Sequence, residues 1–210
     1  MIEYLHLAPV ASFIFVLTLI TSIMAFSNPE WFGMMMFHPY SVYRKERVYT
    51  LLTSGLIHRD YMHLAFNMLS YYFFAFALEG MIGHWQFALL YVASLILSDL
   101  PTLAKHKNDY HYHSLGASGA ISAVVFSFIM YQPMVMMMII PLPIQIPAIL
   151  FGVLYLVYCH FASKYSRDNI NHDAHLFGAL CGVAITLILN PGLAPVFVHS
   201  VSEGVRSLLH

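Results

Sequence analysis

Hydrophobic positions along this chain fall in long runs with no polar stripe, and the segments between them collect most of the charge. A helix needs about 20 apolar residues to cross a bilayer core. The first run covers residues 7–26, with Pro9 in the opening turn, where proline is tolerated. The second covers 61–78 and closes at Glu79-Gly80. The third, 85–100, is stopped by Pro101. The fourth lies within 116–131, its helix opening near Ser118; the fifth is 148–161; the sixth, 173–189, ends at Asn190-Pro191. The pattern predicts an all-α membrane protein, a six-transmembrane helix bundle occupying residues 1–210 as one domain without internal repeats.

The connections differ in kind. Residues 27–60 mix Trp31, Phe32, Tyr40 and Tyr43 with Arg44, Lys45, Glu46 and Arg47, which suits a segment lying in the membrane interface. Residues 132–147 are apolar but carry Pro133, Pro141, Pro143 and Pro147, so they cannot form a regular spanning helix. Residues 102–114 and 164–171 are polar loops.

Composition agrees with the pattern: 60% of residues are hydrophobic and 9% charged, against roughly 25% charged in soluble domains. A net charge of −1 leaves no basic footprint for nucleic acid. Cys159 and Cys181 both lie inside apolar runs and read as small packing residues. The first residues lack Lys and Arg and the first run is long enough to span, so no cleaved signal peptide is expected.

Chemistry has to be sought among polar groups that a membrane makes expensive to keep. Ser118 opens the fourth span between Gly116 and Gly119, where its surroundings are bare and the first helical N–H groups lack partners. His175 opens the sixth span; His63 and Asn67, four apart, share one face near the start of the second. In an alternating six-span bundle the second, fourth and sixth helices begin on the same side, which brings all four residues level. Ala174, Gly178 and Gly182 recur at four-residue spacing beside His175, and Gly119 and Ala123 do so beside Ser118. Such faces let helix backbones nearly touch, close enough for an imidazole to act as general base to a serine. Taken singly, each feature has a plainer reading: small residues for packing, His175 at the interface, His63 and Asn67 as interhelical hydrogen-bond partners.

Together, Gly116-Ala117-Ser118-Gly119, Ala174-His175-x-x-Gly178 and His58-x4-His63-x3-Asn67 resemble the rhomboid family of intramembrane serine proteases. The likeness runs from about residue 50 to 190, and residues 53–58 and Glu79-x3-Gly83 share in it. It implies a rhomboid-type bundle with a catalytic dyad of Ser118 and His175, and an oxyanion held by His63, Asn67 and the Ser118 backbone N–H. It also implies single-span membrane proteins as substrates within the lipid bilayer, no cofactor, no metal and no nucleic acid. Two positions depart from the family pattern. Tyr49-Thr50 stand where many members carry Trp-Arg, with Arg47 nearby, and Ser122 stands where some members place an aromatic ring against the histidine. Something else must therefore support His175.

Asp173 is expected to stand apart, since two residues before His175 it points about 200° around the helix. His106, His111 and His113 match no closed zinc spacing. His58 reads as structural, and His38, His84, His199 and His210 as interfacial. Arg44, Lys45, Arg47, Arg59, Lys105, Lys107, Lys164 and Arg167 all fall on the catalytic side, which by the positive-inside rule faces the cytoplasm. The family resemblance implies the opposite: a bacterial inner membrane with the active site outward. Two other functions compete. A proteolytically silent relative that binds membrane helices would typically lack the serine or the histidine. A small transporter would place ionisable groups near mid-membrane in several helices.

Overall fold

Backbone groups have no water to bond in hydrocarbon, so the apolar runs satisfy their N–H and C=O groups internally as helices. In the computed structural model, which describes residues 6–139, 144–166, 168 and 170–208, five helices are long and apolar enough to cross a membrane. They are α1 (Pro9–Phe26), α5 (Tyr61–Ile82), α6 (His84–His106), α8 (Ala148–Tyr165) and α9 (His172–Leu189). A sixth apolar helix, α7 (Ser118–Tyr131), is shorter at 14 residues. Phe66, Phe73, Val153, Leu154 and Phe161 on α5 and α8 are exposed, as lipid-facing side chains are. The protein is a multi-pass integral membrane protein built as a helical bundle.

Helix α7 sits in the middle, with its residues from Gly119 to Ser127 all buried. Its closest neighbour is α9. A Cβ on Gly178 would overlap the carbonyl of Gly119, and one on Gly182 would overlap the carbonyl of Ala123. Backbone therefore meets backbone along this seam. Tyr71, Leu78, Phe87, Leu90 and Val124 fill the core between α5, α6 and α7.

Three helices outrun their expected ends. Helix α5 continues past Leu78 because the buried Glu79 carboxylate accepts from the Val10 and Ala11 N–H groups (3.1 and 2.6 Å) and pairs with His84 Nδ1 at 2.6 Å. The acidic residue thus caps the start of α1, and α5 stops only at Gly83, whose φ is 91°. Pro101 does not stop α6, which runs on to His106. Proline removes one helical hydrogen bond and crowds the preceding turn, but tertiary packing overrides it. Ser98 and Thr102 on either side are buried, and Thr102 Oγ1 exchanges hydrogen bonds with the Asn171 side chain (3.2 and 2.9 Å). Helix α8 ends at Tyr165, four residues later than its run suggests.

The connection before α5 folds into short helices α2 (Pro29–Met35), α3 (Pro39–Tyr43) and α4 (Thr50–Thr53) and a 3-10 turn (Ser54–Leu56). It is pinned at several points. Phe37 and Ser114 form an antiparallel bridge, Arg47 donates to the Gly33 and Met34 carbonyls (2.6 and 2.9 Å), and Ser22 Oγ donates to Leu56 O at 3.0 Å. His38 is buried, its ring nitrogens bonded to Ser41 Oγ and Tyr110 O.

After α7 the chain makes a hairpin of β1 (Met136–Ile139) and β2 (Ile144–Pro147), pairing Met136 with Pro147 and Met138 with Gln145. Pro141, Pro143, Arg167 and His210 lie outside the described residues. Helix α10 (Leu193–Leu208) follows α9; the run pattern gives no spanning segment there.

Candidate active site

The start of α7 is shaped by what precedes it. Gly116 adopts φ 114°, a conformation other residues rarely take, and its N–H donates to Ser54 O at 2.9 Å. The chain then turns directly into the helix, so Ser118 occupies the first turn, where backbone N–H groups have no intrahelical acceptor. From α9, the His175 ring reaches across the glycine seam, and its Nε2 lies at hydrogen-bond distance, 2.7 Å, from the Ser118 hydroxyl oxygen. Asn171 caps α9 by accepting from the Ala174 N–H at 3.1 Å. The same side chain holds Thr102 on α6, which fixes the start of α9 against the bundle.

Asp173 turns away, accepting from Lys105 Nζ at 2.9 Å. The imidazole is bordered instead by Tyr155 of α8, whose ring lies nearly parallel to it (6.5 Å between centroids, 16° between planes). The Tyr155 hydroxyl is bonded at 2.8 Å to Ser122 Oγ, one turn beyond Ser118 on α7. The residue that lacks the expected ring thus holds a ring brought from another helix.

His63 and Asn67 arrive from the first turns of α5. Asp60 caps that helix by accepting from the His63 N–H at 2.8 Å. This bond, followed by Arg59 beside it, holds the Asp60 carboxyl below its ordinary range. The Arg59 N–H donates to His63 Nδ1 at 3.3 Å, which leaves the ring proton on Nε2. The His63 ring lies against Gly116, where an added Cβ would come within 2.8 Å of Cε1. Asn67 Nδ2 donates one hydrogen to His63 O at 2.9 Å and has a second to offer. Asn67, Phe66, Ser118, Tyr155 and His175 line one cavity of about 230 Å³. Ser118, Asn67 and His175 therefore share one cavity; the His63 ring lies beside it against Gly116, while Gly178 and Gly182 pack on the backbone of Gly119 and Ala123.

The remaining histidines do other things. His58 is buried with Nδ1 at 3.0 Å from Ser22 Oγ. His106 stacks on Tyr112 and His113 on His38, and no metal-ligand group among the described residues includes them. The ligand atoms that do converge, within 4.8 Å of one another, are those of Cys159, His172 and His175. Sequence reading missed Tyr155, Ser122 as its anchor, and this cluster. Tyr155 and Cys159 stand four apart on α8 and His172 and His175 three apart on α9, but nothing in the sequence shows that these two faces meet.

A model of the Rhomboid domain matches residues 45–192. The chain is 34% identical to a Bacillus subtilis protein named "Putative rhomboid protease YdcA" over 194 residues, 85% of this chain and 87% of the relative. It is 26% identical to "RHOMBOID-like protein 12, mitochondrial" of Arabidopsis thaliana, covering 65% of this chain and 45% of the relative. It is 31% identical to "Rhomboid protein 1, mitochondrial" of Saccharomyces cerevisiae, covering 64% of this chain and 40% of the relative. This chain spans less than half the length of the two mitochondrial proteins.

Proposed function

We propose, from the premise that the chain belongs to the rhomboid family, that it is an intramembrane serine endopeptidase using a Ser118–His175 dyad. The observation that carries this reading is the 2.7 Å bond from Ser118 Oγ to His175 Nε2 at a helix N-terminus facing a cavity. His175 takes the Ser118 proton as the oxygen attacks a substrate carbonyl carbon. The resulting oxyanion faces the free N–H groups that open α7, the His63 Nε2–H and the second Asn67 amide hydrogen. His175 then gives its proton to the leaving amine, and water hydrolyses the acyl-enzyme by the same base. A dyad suits the depth, because an ionised aspartate there would need a partner, and Asp173 already has one in Lys105.

Substrates in this reading are single-span membrane proteins whose cleavage site enters the cavity from the bilayer. The location proposed is a bacterial inner membrane with the cavity outward. Several cations that the positive-inside count enters against this are engaged in the fold: Arg44 on Tyr40 O and Lys107 O, Arg47 on Gly33 O and Met34 O, Lys105 on Asp173.

The test is labelling by a serine-reactive fluorophosphonate together with cleavage of a single-span test substrate. Ser118→Ala should lose both and keep the wild-type melting temperature, since one hydroxyl is removed. Asp173→Asn should retain activity within a few-fold; a loss near the 10⁴-fold of a triad-acid change would refute the dyad. Cleavage by Ser118→Ala above a few per cent of wild type would remove the serine assignment.

A further inference from the structure

Around the His175 ring the chain gathers a second set of donor atoms, from Cys159 and His172. Cys159 on α8 is completely buried and forms no disulfide; His172 opens α9 one turn before His175. The Cys159 sulfur and one nitrogen from each ring lie within 4.8 Å of one another. His172 is prepared in a particular way. Its Nε2 faces both oxygens of the Asp168 carboxylate at 3.1 Å, and since a carboxylate only accepts, the ring proton stays on Nε2. Nδ1 is left with a lone pair, buried and without a hydrogen-bond partner. A buried orphan acceptor is costly in a core, and a histidine whose far nitrogen donates to a carboxylate is how metal-binding imidazoles are usually held.

We propose that Cys159, His172 and His175 form a site for a borderline-soft divalent ion of the Zn²⁺ type, and that its occupancy switches Ser118 off. One thiolate and two imidazoles suit Zn²⁺, with a fourth position left for water. Bonds of about 2.0–2.3 Å at tetrahedral angles put these ligand atoms about 3.3–3.5 Å apart, so the cluster closes by about 1.5 Å at most on binding. In the binding step the Cys159 thiol releases its proton to solvent and the sulfur lone pair bonds the ion. No electron changes hands.

The switch, which rests on the proposed role of His175, follows from proton placement. If the ion takes Nδ1 of His175, the ring proton must sit on Nε2, which then cannot accept the Ser118 proton. If it takes Nε2, it displaces the serine hydroxyl outright. Either way the base is lost. The inhibition is reversible and lifts when a chelator removes the ion.

The experiment uses the full chain in detergent, stripped with chelator and titrated with Co²⁺ as the spectroscopic stand-in for Zn²⁺. Wild type should develop tetrahedral d–d bands and a thiolate-to-cobalt charge-transfer band, both bleached by Zn²⁺. Cys159→Ser should lose the charge-transfer band, Cys181→Ser should keep it, and Asp168→Asn should weaken binding about 10–100-fold. No band in wild type, or a band that persists in Cys159→Ser, overturns the site. In parallel, saturating Zn²⁺ should lower fluorophosphonate labelling at least tenfold in wild type and leave Cys159→Ser unaffected. Labelling of wild type that ignores Zn²⁺ overturns the switch. Chelator-treated wild type that does not label at all counts against the protease reading, and the cobalt band still decides the metal site.

Discussion

An imidazole that receives a proton from a serine must keep its plane and distance while its charge changes. Around His175 that constraint falls on Tyr155, which lies nearly parallel to the ring and is itself held by Ser122. Tyr155→Phe keeps the ring and loses the hydroxyl's bonds to Ser122 and Cys159, so labelling should slow by no more than a few-fold. Tyr155→Ala frees the imidazole on that face. A misplacement near 1 Å costs about 10²-fold, and that loss should appear in kcat with KM little changed. A fall in KM-dependent terms alone would make Tyr155 a substrate contact. Ser118, His175, His63 and Asn67 stand out in the sequence because a membrane makes polar groups expensive to keep, and the structure brings Ser118, Asn67 and His175 to one cavity. Tyr155 and Ser122 do not stand out, since a tyrosine and a serine in separate apolar runs are each unremarkable, and only packing brings them together.

Among the elements, the contact between α7 and α9 decides whether Ser118 and His175, the proposed nucleophile and base, meet. The sequence shows its small residues at four-residue spacing, and the structure places Gly178 on the Gly119 carbonyl and Gly182 on that of Ala123. A single methyl at Gly178 has nowhere to go without parting the helices, and overpacking of this kind costs typically 1–3 kcal/mol. Gly178→Ala should therefore lower the melting temperature and nearly abolish labelling. Gly80→Ala, where an added Cβ meets nothing within 4 Å, should leave both as they are. Equal behaviour of the two variants would refute the seam. Helix ends were less legible than helix faces. Glu79 and Pro101 look like terminators, yet one is consumed as the cap of α1 and the other is carried through by the packing of Ser98 and Thr102.

For the molecule as a whole, His58 ties stability to pH. Burial, aided by neighbouring His63, pushes its imidazole down from 6.5 to about 3. Between those values the unfolded chain binds a proton there that the folded chain refuses, so stability falls as pH drops below 6.5 and levels off near 3. The slope from this one group is at most about 1.4 kcal/mol per pH unit. Melting temperatures from pH 8 to 5 should decline for wild type and decline less steeply for His58→Gln; parallel curves would remove His58 as the cause. At this scale the sequence conveyed the long apolar helices and not the paired strands β1 and β2 or α10. Four-residue strands among prolines give too little periodicity to read, and the length criterion for a span passes over α10. The seam between α7 and α9 also bears on how such a protein can diversify. Where main chain touches main chain there is no room for a side chain, so Gly178 and Gly182 accept no substitution that leaves the two helices in place. Room for change is left on the exposed apolar outer faces of α5 and α8, where the proposed substrates would first be met. Those parts can drift while the reacting pair stays as it is.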